Sequence, residues 1–562
     1  MIMNNTENEK LRKMEALQNI IFPRDDSAPR ELYFRSWNYS LSEKGLVIDK
    51  GGSLDFSTYF NLFSFDKWNE YTGLESLSLV MNISGSCVVK LYSFDDNGEV
   101  IKESVRNVPV GGDVVLTVPE ILYSGHIGMS IEATSLFRLK SAYWGSALLL
   151  FQRHIRTAAV FCTYNRDEFL FPNLKVIRNS EIENLDVFVV DNASRIDESS
   201  IKEFGDDFYL FHNPNTGGSG GFTRGLMEAL KSDVSYTHVL FMDDDIRLEG
   251  ETLFRSQTLL SHLRPEYKKH FLSGAMLQLD KPHLMFESTA RWNGVRVKNY
   301  KKDLDLRSLE NLCQADRNEN NKNSYAAWWY CGIPLSKGME RDLPFPFFIY
   351  GDDMDYSLKR ASGLLTLNGI GVWHEPFTKK FSPLFKSYFF CRNTMILNSL
   401  HSRKFNYFHN ALNSAAHFFV QLFVHDYRSA SLALDALEDY LEGAEYVAAL
   451  DEGDILSRSG AETDFRTRSI KELNRAYPIQ DNFRRWFSPW YFMHKKLAVY
   501  SYDRKTMEIR RRSFKTVFAL LGRFCRLRCL FFIRYSRVSR SYRKLERNEQ
   551  FWQQRFDAAR GA

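Results

Sequence analysis

Short apolar runs that end in polar residues recur between residues 155 and 245. They are rich in β-branched and aromatic residues, and most are separated by segments that can form helices. The four clearest runs are 157–163, 187–191, 208–211 and 239–242. Strands that alternate with helices indicate βαβ units, in which the strands lie parallel in one sheet. The pattern therefore predicts an α/β domain with a mostly parallel sheet.

Polar residues stand where these runs end, at 163–166, 191–192, 213–215 and 243–245. In such sheets, ligands bind beyond the carboxyl ends of the strands, so we expect these side chains to line one crevice. Three consecutive aspartates at a strand end can offer oxygen ligands to a divalent cation, which commonly holds phosphates. A solvated acidic turn is the alternative for a motif this short. The crevice is the first candidate site.

Segment 213–224 carries four glycines in five residues and precedes 225–230, which looks helical. Glycines let a backbone approach a ligand closely, and the amides at a helix start favour negative charge. The segment is a candidate diphosphate cradle, although it has neither the Walker sequence nor the spacing of a dinucleotide fold. A flexible glycine loop without a ligand is the alternative.

A second acidic cluster, Asp352, Asp353 and Asp355, follows an aromatic run and opens a helix-like segment. One of these carboxylates is expected to serve as a helix cap, and at least one as a general base walled by apolar side chains. Further along, His374 ends an apolar run and could be a neutral nitrogen ligand to a cation. A packed histidine is the alternative.

Paired tryptophans, Trp328 and Trp329, are candidates for sugar contacts. A flat apolar ring can stack on the C–H face of a sugar while its N–H donates a hydrogen bond. Core packing is the alternative, and one of the pair could serve only that purpose.

Taken in order, segments 163–166, 190–192, 215–224, 243–245, 328–329, 352–353 and 373–374 resemble those of inverting GT-A glycosyltransferases, which have a Rossmann-like catalytic domain. More closely, they resemble polymerising galactofuranosyltransferases, which use UDP-galactofuranose. The motifs cover roughly residues 155 to 395. The resemblance implies three domains: an N-terminal β-sandwich at 1–150, the GT-A domain at 151–395 and a C-terminal helical domain with a basic amphipathic tail at 396–562.

The resemblance also implies a role for each candidate. Asp243, Asp245 and His374 would hold Mn²⁺ or Mg²⁺, and Asp353 would be the catalytic base. Residues matching donor-binding positions are Arg166, Asn192, Asn215, Gly217, Gly218, Asp243, Asp244, Trp328, Trp329 and Asp352. We therefore expect an enzyme that moves galactofuranose from UDP-galactofuranose to a hydroxyl of a growing, lipid-linked glycan such as a galactan.

Two alternatives remain open at this point. An inverting GT-A transferase could use another nucleotide sugar, such as a hexopyranose or rhamnose donor, because metal and base geometry do not name the sugar. A non-catalytic carbohydrate-binding protein could keep the fold, although all the expected carboxylates are present.

Length and composition agree with several domains, since the chain has 562 residues and 44% hydrophobic content. Before residue 150, alternating runs with glycine turns at 77–81, 87–92 and 114–118 predict a β-sandwich. After residue 400 the pattern becomes helical, as in 430–441.

Charge is concentrated at the C-terminus, where residues 501–562 hold 17 Lys/Arg against 5 Asp/Glu in a chain of net charge +5. Segment 513–534 interleaves arginines with apolar residues too often to span a bilayer, but it suits a helix on an anionic membrane surface. A helix that packs within the protein or against another subunit is the alternative. Nucleic acid is not expected as a partner, because no recognition fold accompanies the charge.

Seven cysteines without framework spacing predict reduced thiols, and residues 1–10 lack the apolar core of a secretion signal. We therefore expect a cytoplasmic protein, peripheral on the inner face of the cell membrane. Association into a homo-oligomer is left open.

Overall fold

The computed structural model describes residues 14–294, 297–318, 323–376, 382–402, 406–451, 455, 477–480, 489–500 and 507–561. The polar N-terminal segment 1–10 therefore lies outside the described residues. All seven cysteines lie within them, and each is a free thiol, as expected.

Two antiparallel sheets form the N-terminal part. Alternate residues of Cys87–Phe94 point inward, and both sheets contribute to one hydrophobic core. The first sheet runs Ser40–Ser42, Gly45–Ile48, Phe137–Ser146, Ser78–Ser84 and Gly112–Thr117, with Glu15–Ile20 also paired to Phe137–Ser146; the second runs Ser53–Asp55, His126–Ala133, Cys87–Phe94 and Val100–Val108. A helix at Phe65–Thr72 and 3₁₀ turns at Arg30–Leu32 and Glu120–Leu122 complete this part. The predicted β-sandwich is confirmed.

The central sheet has seven strands in the order Phe208–His212, Leu185–Asp191, Thr157–Thr163, His238–Asp243, Tyr330–Pro334, Phe271–Ser273 and Leu364–Leu365. The first four are the predicted runs, and they lie parallel. Tyr330–Pro334 is antiparallel to its neighbours. Connecting helices are Asp167–Ser180, Glu198–Lys202, Gly217–Lys231 and Gly250–His262, followed by a 3₁₀ turn at Pro265–Tyr267. The α/β prediction is confirmed.

Two smaller sheets lie beside the carboxyl edge of the central sheet. One runs Ile246–Arg247, Gly371–His374, Ala275–Gln278, Leu284–Glu287 and Leu304–Asp305; the other runs Val297–Asn299, Ala290–Trp292 and Ser324–Tyr325. The helices here are Leu309–Asp316, the 3₁₀ turn Met339–Arg341 and Asp352–Arg360. These sheets bring residues distant in the sequence to the crevice.

Helices dominate the C-terminal part. They are the π-helical turn Phe385–Phe389 and the α-helices Phe390–His401, Asn406–Phe423, Tyr427–Glu442, Ala444–Ala449, Trp490–Met493, Phe514–Lys544 and Glu549–Gly561, with a small sheet of Tyr477–Gln480, Lys496–Tyr500 and Met507–Arg511. The boundary placed at 395 falls inside Phe390–His401. Among the residues that the structure describes, no helix is both long and apolar enough to cross a lipid bilayer.

A buried charge cluster joins the N-terminal part to the central domain. Asp316 lies 3.1 Å from Lys67 Nζ and 3.0 Å from His126 Nε2, and Lys67 also donates to the Thr366 carbonyl at 2.7 Å. Burial opposes protonation of His126, but its hydrogen bond to Asp316 raises the pKa of His126 to about 10. Losing one partner would leave a buried unpaired charge, so these contacts hold the two parts in one arrangement.

Candidate active site

The predicted metal ligands lie together at the carboxyl edge of the central sheet. Asp243 ends the strand His238–Asp243, and Asp245 directly precedes a short strand that pairs antiparallel with Gly371–His374. His374 Nε2 lies 3.0 Å from Asp245 Oδ1 and 3.6 Å from Asp243 Oδ2. One possible ligand atom from each of the three residues lies within 4.8 Å of the others.

The orientation of His374 suits metal binding. Its Nδ1 lies 2.7 Å from the Glu375 carbonyl oxygen. Because a carbonyl can only accept, Nδ1 carries a proton, and Nε2 is the ring nitrogen that faces the carboxylates. Two carboxylates and one imidazole nitrogen form a donor set that fits a divalent cation such as Mn²⁺ or Mg²⁺.

Arg247 links this triad to the N-terminal part. Its guanidinium lies 4.0 Å from the centre of the Trp373 ring, and Nη1 donates to the Ser27 carbonyl at 2.8 Å. Trp373 directly precedes His374, and Arg247 lies two residues after Asp245. The contact therefore joins the two chain segments that carry metal ligands.

The other carboxylate of the aspartate run is more deeply buried. Asp244 accepts a hydrogen bond from the Tyr164 amide at 3.3 Å. Burial, and then the neighbouring charge of Asp245, raise the pKa of Asp244 to about 7. Arg166 partly offsets the charge, because its Nη1 lies 2.5 Å from Asp245 Oδ2. This ion pair places Arg166 beside the candidate metal ligands.

The glycine segment forms the first turns of a helix, Gly217–Lys231, which begins before the helix-like segment 225–230 that the sequence predicted. Gly217 has φ +74°, a left-handed conformation that favours glycine. The Gly217 amide donates to Asn215 Oδ1 at 3.2 Å, and the Gly218 amide donates to the Phe348 carbonyl at 3.1 Å. These two amides thus have partners within the protein, and a diphosphate cradle formed by this segment stays a prediction.

Close packing explains why the helix continues with glycines. A Cβ atom at Gly221 would lie 2.2 Å from Cys162 Sγ. At Gly218 the nearest atom to a Cβ would be Asp352 Oδ2, at 3.6 Å. Gly221 is therefore required for packing on the central sheet, whereas Gly218 faces the acidic cluster with space around it.

Asn192 connects the glycine helix to the neighbouring strand ends. Its Nδ2 donates to the Gly217 carbonyl at 3.1 Å, and its Oδ1 accepts from Asn213 Nδ2 at 2.9 Å. Asp191, which was expected with Asn192 to line the crevice, is buried, accepts backbone N–H bonds at 2.6 to 2.8 Å and fixes the following turn. Asn192 is therefore held rigidly, while Asn215 lies at the surface.

The second acidic cluster divides into two kinds of carboxylate. Asp352 and Asp353 lie at the start of the helix Asp352–Arg360 and are partly buried. Burial is the main cause that raises the pKa of both. The charges of Asp243 and Asp355 raise the pKa of Asp352 further, and those of Asp352 and Asp243 raise the pKa of Asp353. Asp355 is fully buried, yet its pKa lies well below the usual range, because Arg547 and His401 outweigh the cost of burial. Asp355 is therefore the structural member of the cluster.

Both tryptophans of the predicted pair are buried, with 4% and 5% of their surface exposed. Trp328 packs edge-on against Phe222 and Phe241, with ring centres 5.2 and 5.0 Å away. Trp329 donates through Nε1 to the Gly274 carbonyl at 2.9 Å. Core packing is thus the role seen for Trp328, and a sugar contact by either ring stays a prediction.

Glu287 is a candidate that the sequence reasoning missed. It ends the strand Leu284–Glu287, is buried, and accepts a hydrogen bond from Asn299. Burial raises the pKa of Glu287 to about 8, and its charge also raises the pKa of Asp353. The signal available was a carboxylate ending a short apolar run, the same pattern that identified Asp243.

Comparison with known protein families gives two matches. Residues 17–147 match the Galactofuranosyltransferase 2 N-terminal family, and residues 158–265 match Glycosyl transferase family 2. The chain is 26% identical to galactofuranosyltransferase GlfT2 of Mycolicibacterium smegmatis, over 70% of this chain and 66% of that protein. It is 24% identical to GlfT2 of Mycobacterium tuberculosis, over 77% of this chain and 73% of that protein.

Among solved structures, S. aureus TarS 1–349 in complex with UDP aligns with a TM-score of 0.32 and 14% identity, over 50% of this chain and 81% of that one. A score this low supports no argument. The two family matches confirm the predicted resemblance, and they agree with the expected class of enzyme, a glycosyltransferase. The fold is a GT-A domain between an N-terminal β-sandwich and a helical C-terminal part.

The packing of the glycine helix makes a prediction about stability. Gly221→Ala should lower the free energy of unfolding by about 1–3 kcal/mol, because the new methyl group would overlap Cys162. Gly218→Ala is the matched control and should leave the stability unchanged or slightly higher, since alanine favours a helix. Thermal unfolding followed by circular dichroism measures both. Equal melting temperatures for the two variants would contradict the packing argument.

Proposed function

We propose that the protein is an inverting, metal-dependent galactofuranosyltransferase, which moves galactofuranose from UDP-galactofuranose to a hydroxyl of a growing glycan. The observation that carries the proposal is the placement of a cation-binding triad beside a second pair of carboxylates. Asp243 of the triad is close enough to raise the pKa of both Asp352 and Asp353. The similarity to two galactofuranosyltransferases supports this choice of donor.

Asp243, Asp245 and His374 would hold the cation. Bound there, a divalent ion supplies Lewis-acid stabilisation of the negative charge that develops on a departing diphosphate. Arg166 would add positive charge on the same side of the crevice, because it already contacts Asp245. Asp244, Asn192 and Asn215 would shape the nucleotide pocket around these groups.

Asp353 would act as the general base. A raised pKa makes its carboxylate a better proton acceptor, and partial burial shields it from water. It would take the proton from the acceptor hydroxyl while that oxygen attacks the anomeric carbon from the face opposite UDP. A single displacement of this kind inverts the stereochemistry at that carbon. Asp352, Gly218, Trp328 and Trp329 would line the sugar side of the crevice.

A lipid-linked acceptor would explain the surface of the helix Phe514–Lys544. One face packs in the protein, where Phe524 stacks on Phe418 with ring centres 4.7 Å apart. The opposite face leaves Phe518, Phe532 and Ile533 at least 70% exposed. Several arginines of this helix make ion pairs with Asp435, Glu438 and Glu442.

Those ion pairs agree with the alternative that the helix packs within the protein, but they do not cover the apolar face. Arg537 and Arg540 are exposed beside it. Aromatic side chains with neighbouring arginines suit the interface of an anionic bilayer. We therefore propose a peripheral position on the inner face of the cell membrane, with this helix against the lipid.

The base assignment is tested by Asp353→Asn. Transfer should fall by at least about 10³-fold, because the amide cannot accept the proton, while Mn²⁺-dependent UDP binding measured by calorimetry should be unchanged. Asp66→Asn, a change of the same size in the N-terminal part, is the control and should turn over normally. Substantial transfer by Asp353→Asn would remove this residue as the base.

The membrane proposal is tested by flotation with liposomes that contain an anionic phospholipid. Changing Phe518, Phe532 and Ile533 together to serine should lower the affinity for the liposomes by at least about tenfold. Each substitution removes an apolar side chain whose burial in the lipid would favour binding. Leu136→Ser is the control, because this leucine is also well exposed, at 66%, and lies in the N-terminal part. Unchanged flotation of the triple variant would favour packing against another protein surface.

A further inference from the structure

A buried ion pair lies beneath the helix that carries the proposed base. Arg547 Nη1 lies 2.5 Å from Asp355 Oδ2, and His401 Nε2 lies 2.7 Å from Asp355 Oδ1. The Arg547 side chain is only 3% exposed, and that of Asp355 is not exposed at all. Asp355 stands two residues after Asp353 on the first turn of the helix. A contact that fixes the position of Asp355 therefore also fixes the backbone that carries Asp353.

Arg547 belongs to a segment, residues 545–556, that we call the C-terminal clasp. Its carbonyl accepts from the Leu343 amide at 2.7 Å, and its guanidinium lies 5.8 Å from the centre of the Phe345 ring. Trp552 of the clasp donates through Nε1 to the Pro344 carbonyl at 3.1 Å. The clasp therefore holds the chain that leads into the acidic helix as well as the helix itself.

The clasp also contacts the glycine helix on the donor side. Trp552 is fully buried, and a Cβ atom at Gly220 would lie 3.6 Å from its ring. Glu549 lies 2.8 Å from Lys231 Nζ at the far end of the same glycine helix. One segment near the C-terminus thus contacts both helices that border the crevice.

The turn before the acidic helix needs such support. Tyr350 has φ +69°, a left-handed conformation that is unfavourable for a bulky residue, and Gly351 has φ +105°. Asn393 Nδ2 donates to the carbonyls of Ile349 and Tyr350 at 2.8 and 2.9 Å. A strained turn persists only where its surroundings fix it from several sides. Asn393 fixes one side, and the ion pair of Arg547 with Asp355 fixes the other.

We propose that Arg547 is a positioning residue for the transfer reaction: by binding Asp355, it orients the first turn of the acidic helix so that Asp353 faces the acceptor hydroxyl. The inference rests on the proposed role of Asp353 as the base. Arg547 itself touches neither donor nor acceptor. Its effect is on the geometry of proton transfer, and the triad of Asp243, Asp245 and His374 does not depend on it.

The test uses the full-length protein and compares Arg547→Met with Arg547→Lys. Arg547→Met should lower kcat by about 100-fold, as expected for a displacement of about 1 Å in the base, with the donor KM and Mn²⁺-dependent UDP affinity unchanged. Arg547→Lys keeps the positive charge but lacks the planar guanidinium group. It should therefore have a kcat between those of Arg547→Met and the wild type. Arg341→Met is the matched control, because Arg341 is an exposed arginine nearby.

A paired substitution separates positioning from folding. Arg547→Met alone leaves Asp355 buried without its arginine and could unfold the protein, whereas Asp355→Asn with Arg547→Met leaves no unpaired charge. We expect the double variant to melt close to wild type yet keep the low kcat. Wild-type kcat in the double variant, or equal losses of kcat and UDP affinity in Arg547→Met, would overturn the proposal.

Asp353→Asn, measured alongside, distinguishes the two possible failures. If Asp353→Asn turns over at the wild-type rate, the base assignment fails, and the proposed positioning role of Arg547 fails with it. If Asp353→Asn is inactive while folded Arg547→Met keeps the wild-type kcat, the proposed function stands and only the positioning role of Arg547 is wrong.

Discussion

Repulsion between carboxylates is the constraint on which the site depends. Asp243, Asp244, Asp245, Asp352 and Asp353 meet at one edge of the central sheet, and like charges about 4 Å apart cost about 4 kcal/mol at the effective dielectric constant of a protein surface. The protein offsets this cost partly through Arg166, which pairs with Asp245. Burial, and after it the repulsion that remains, raise the pKa values of Asp244, Asp352 and Asp353. A cation bound by the triad would complete the compensation, so the charge distribution favours the binding of a divalent metal ion.

Two carboxylates on one helical turn show how surroundings assign different roles. Burial and the neighbouring charge of Asp352 raise the pKa of Asp353, whereas the contacts with Arg547 and His401 lower the pKa of Asp355. The first suits a proton acceptor, and the second suits a permanent anion that anchors the helix. The C-terminal part therefore contributes to the site through Arg547 and His401, which contact Asp355, although the crevice lies in the central domain.

Much of the site could be predicted from the sequence because its signals are local. Parallel strands place their carboxyl ends together, so polar residues after Thr157–Thr163 and His238–Asp243 had to meet. Contacts between distant segments leave no such pattern. The glycine helix begins at Gly217 because the turn there packs on Phe348, 131 residues away. The negative charge of Asp355 is balanced by Arg547, 192 residues away. The burial of Trp328 likewise depends on Phe222 and Phe241, which no local pattern around the tryptophan pair reveals.

The most direct measurement is UDP release from UDP-galactofuranose, UDP-galactopyranose and UDP-glucose in turn, each with a galactofuranosyl acceptor, first with Mn²⁺ and then with EDTA. The account predicts turnover of the furanose donor alone, abolished by EDTA and restored by added Mn²⁺. Turnover of a pyranose donor would keep the mechanism but refute the proposed substrate. Turnover of UDP-galactofuranose that is unaffected by EDTA would contradict the central claim that Asp243, Asp245 and His374 hold a catalytic cation.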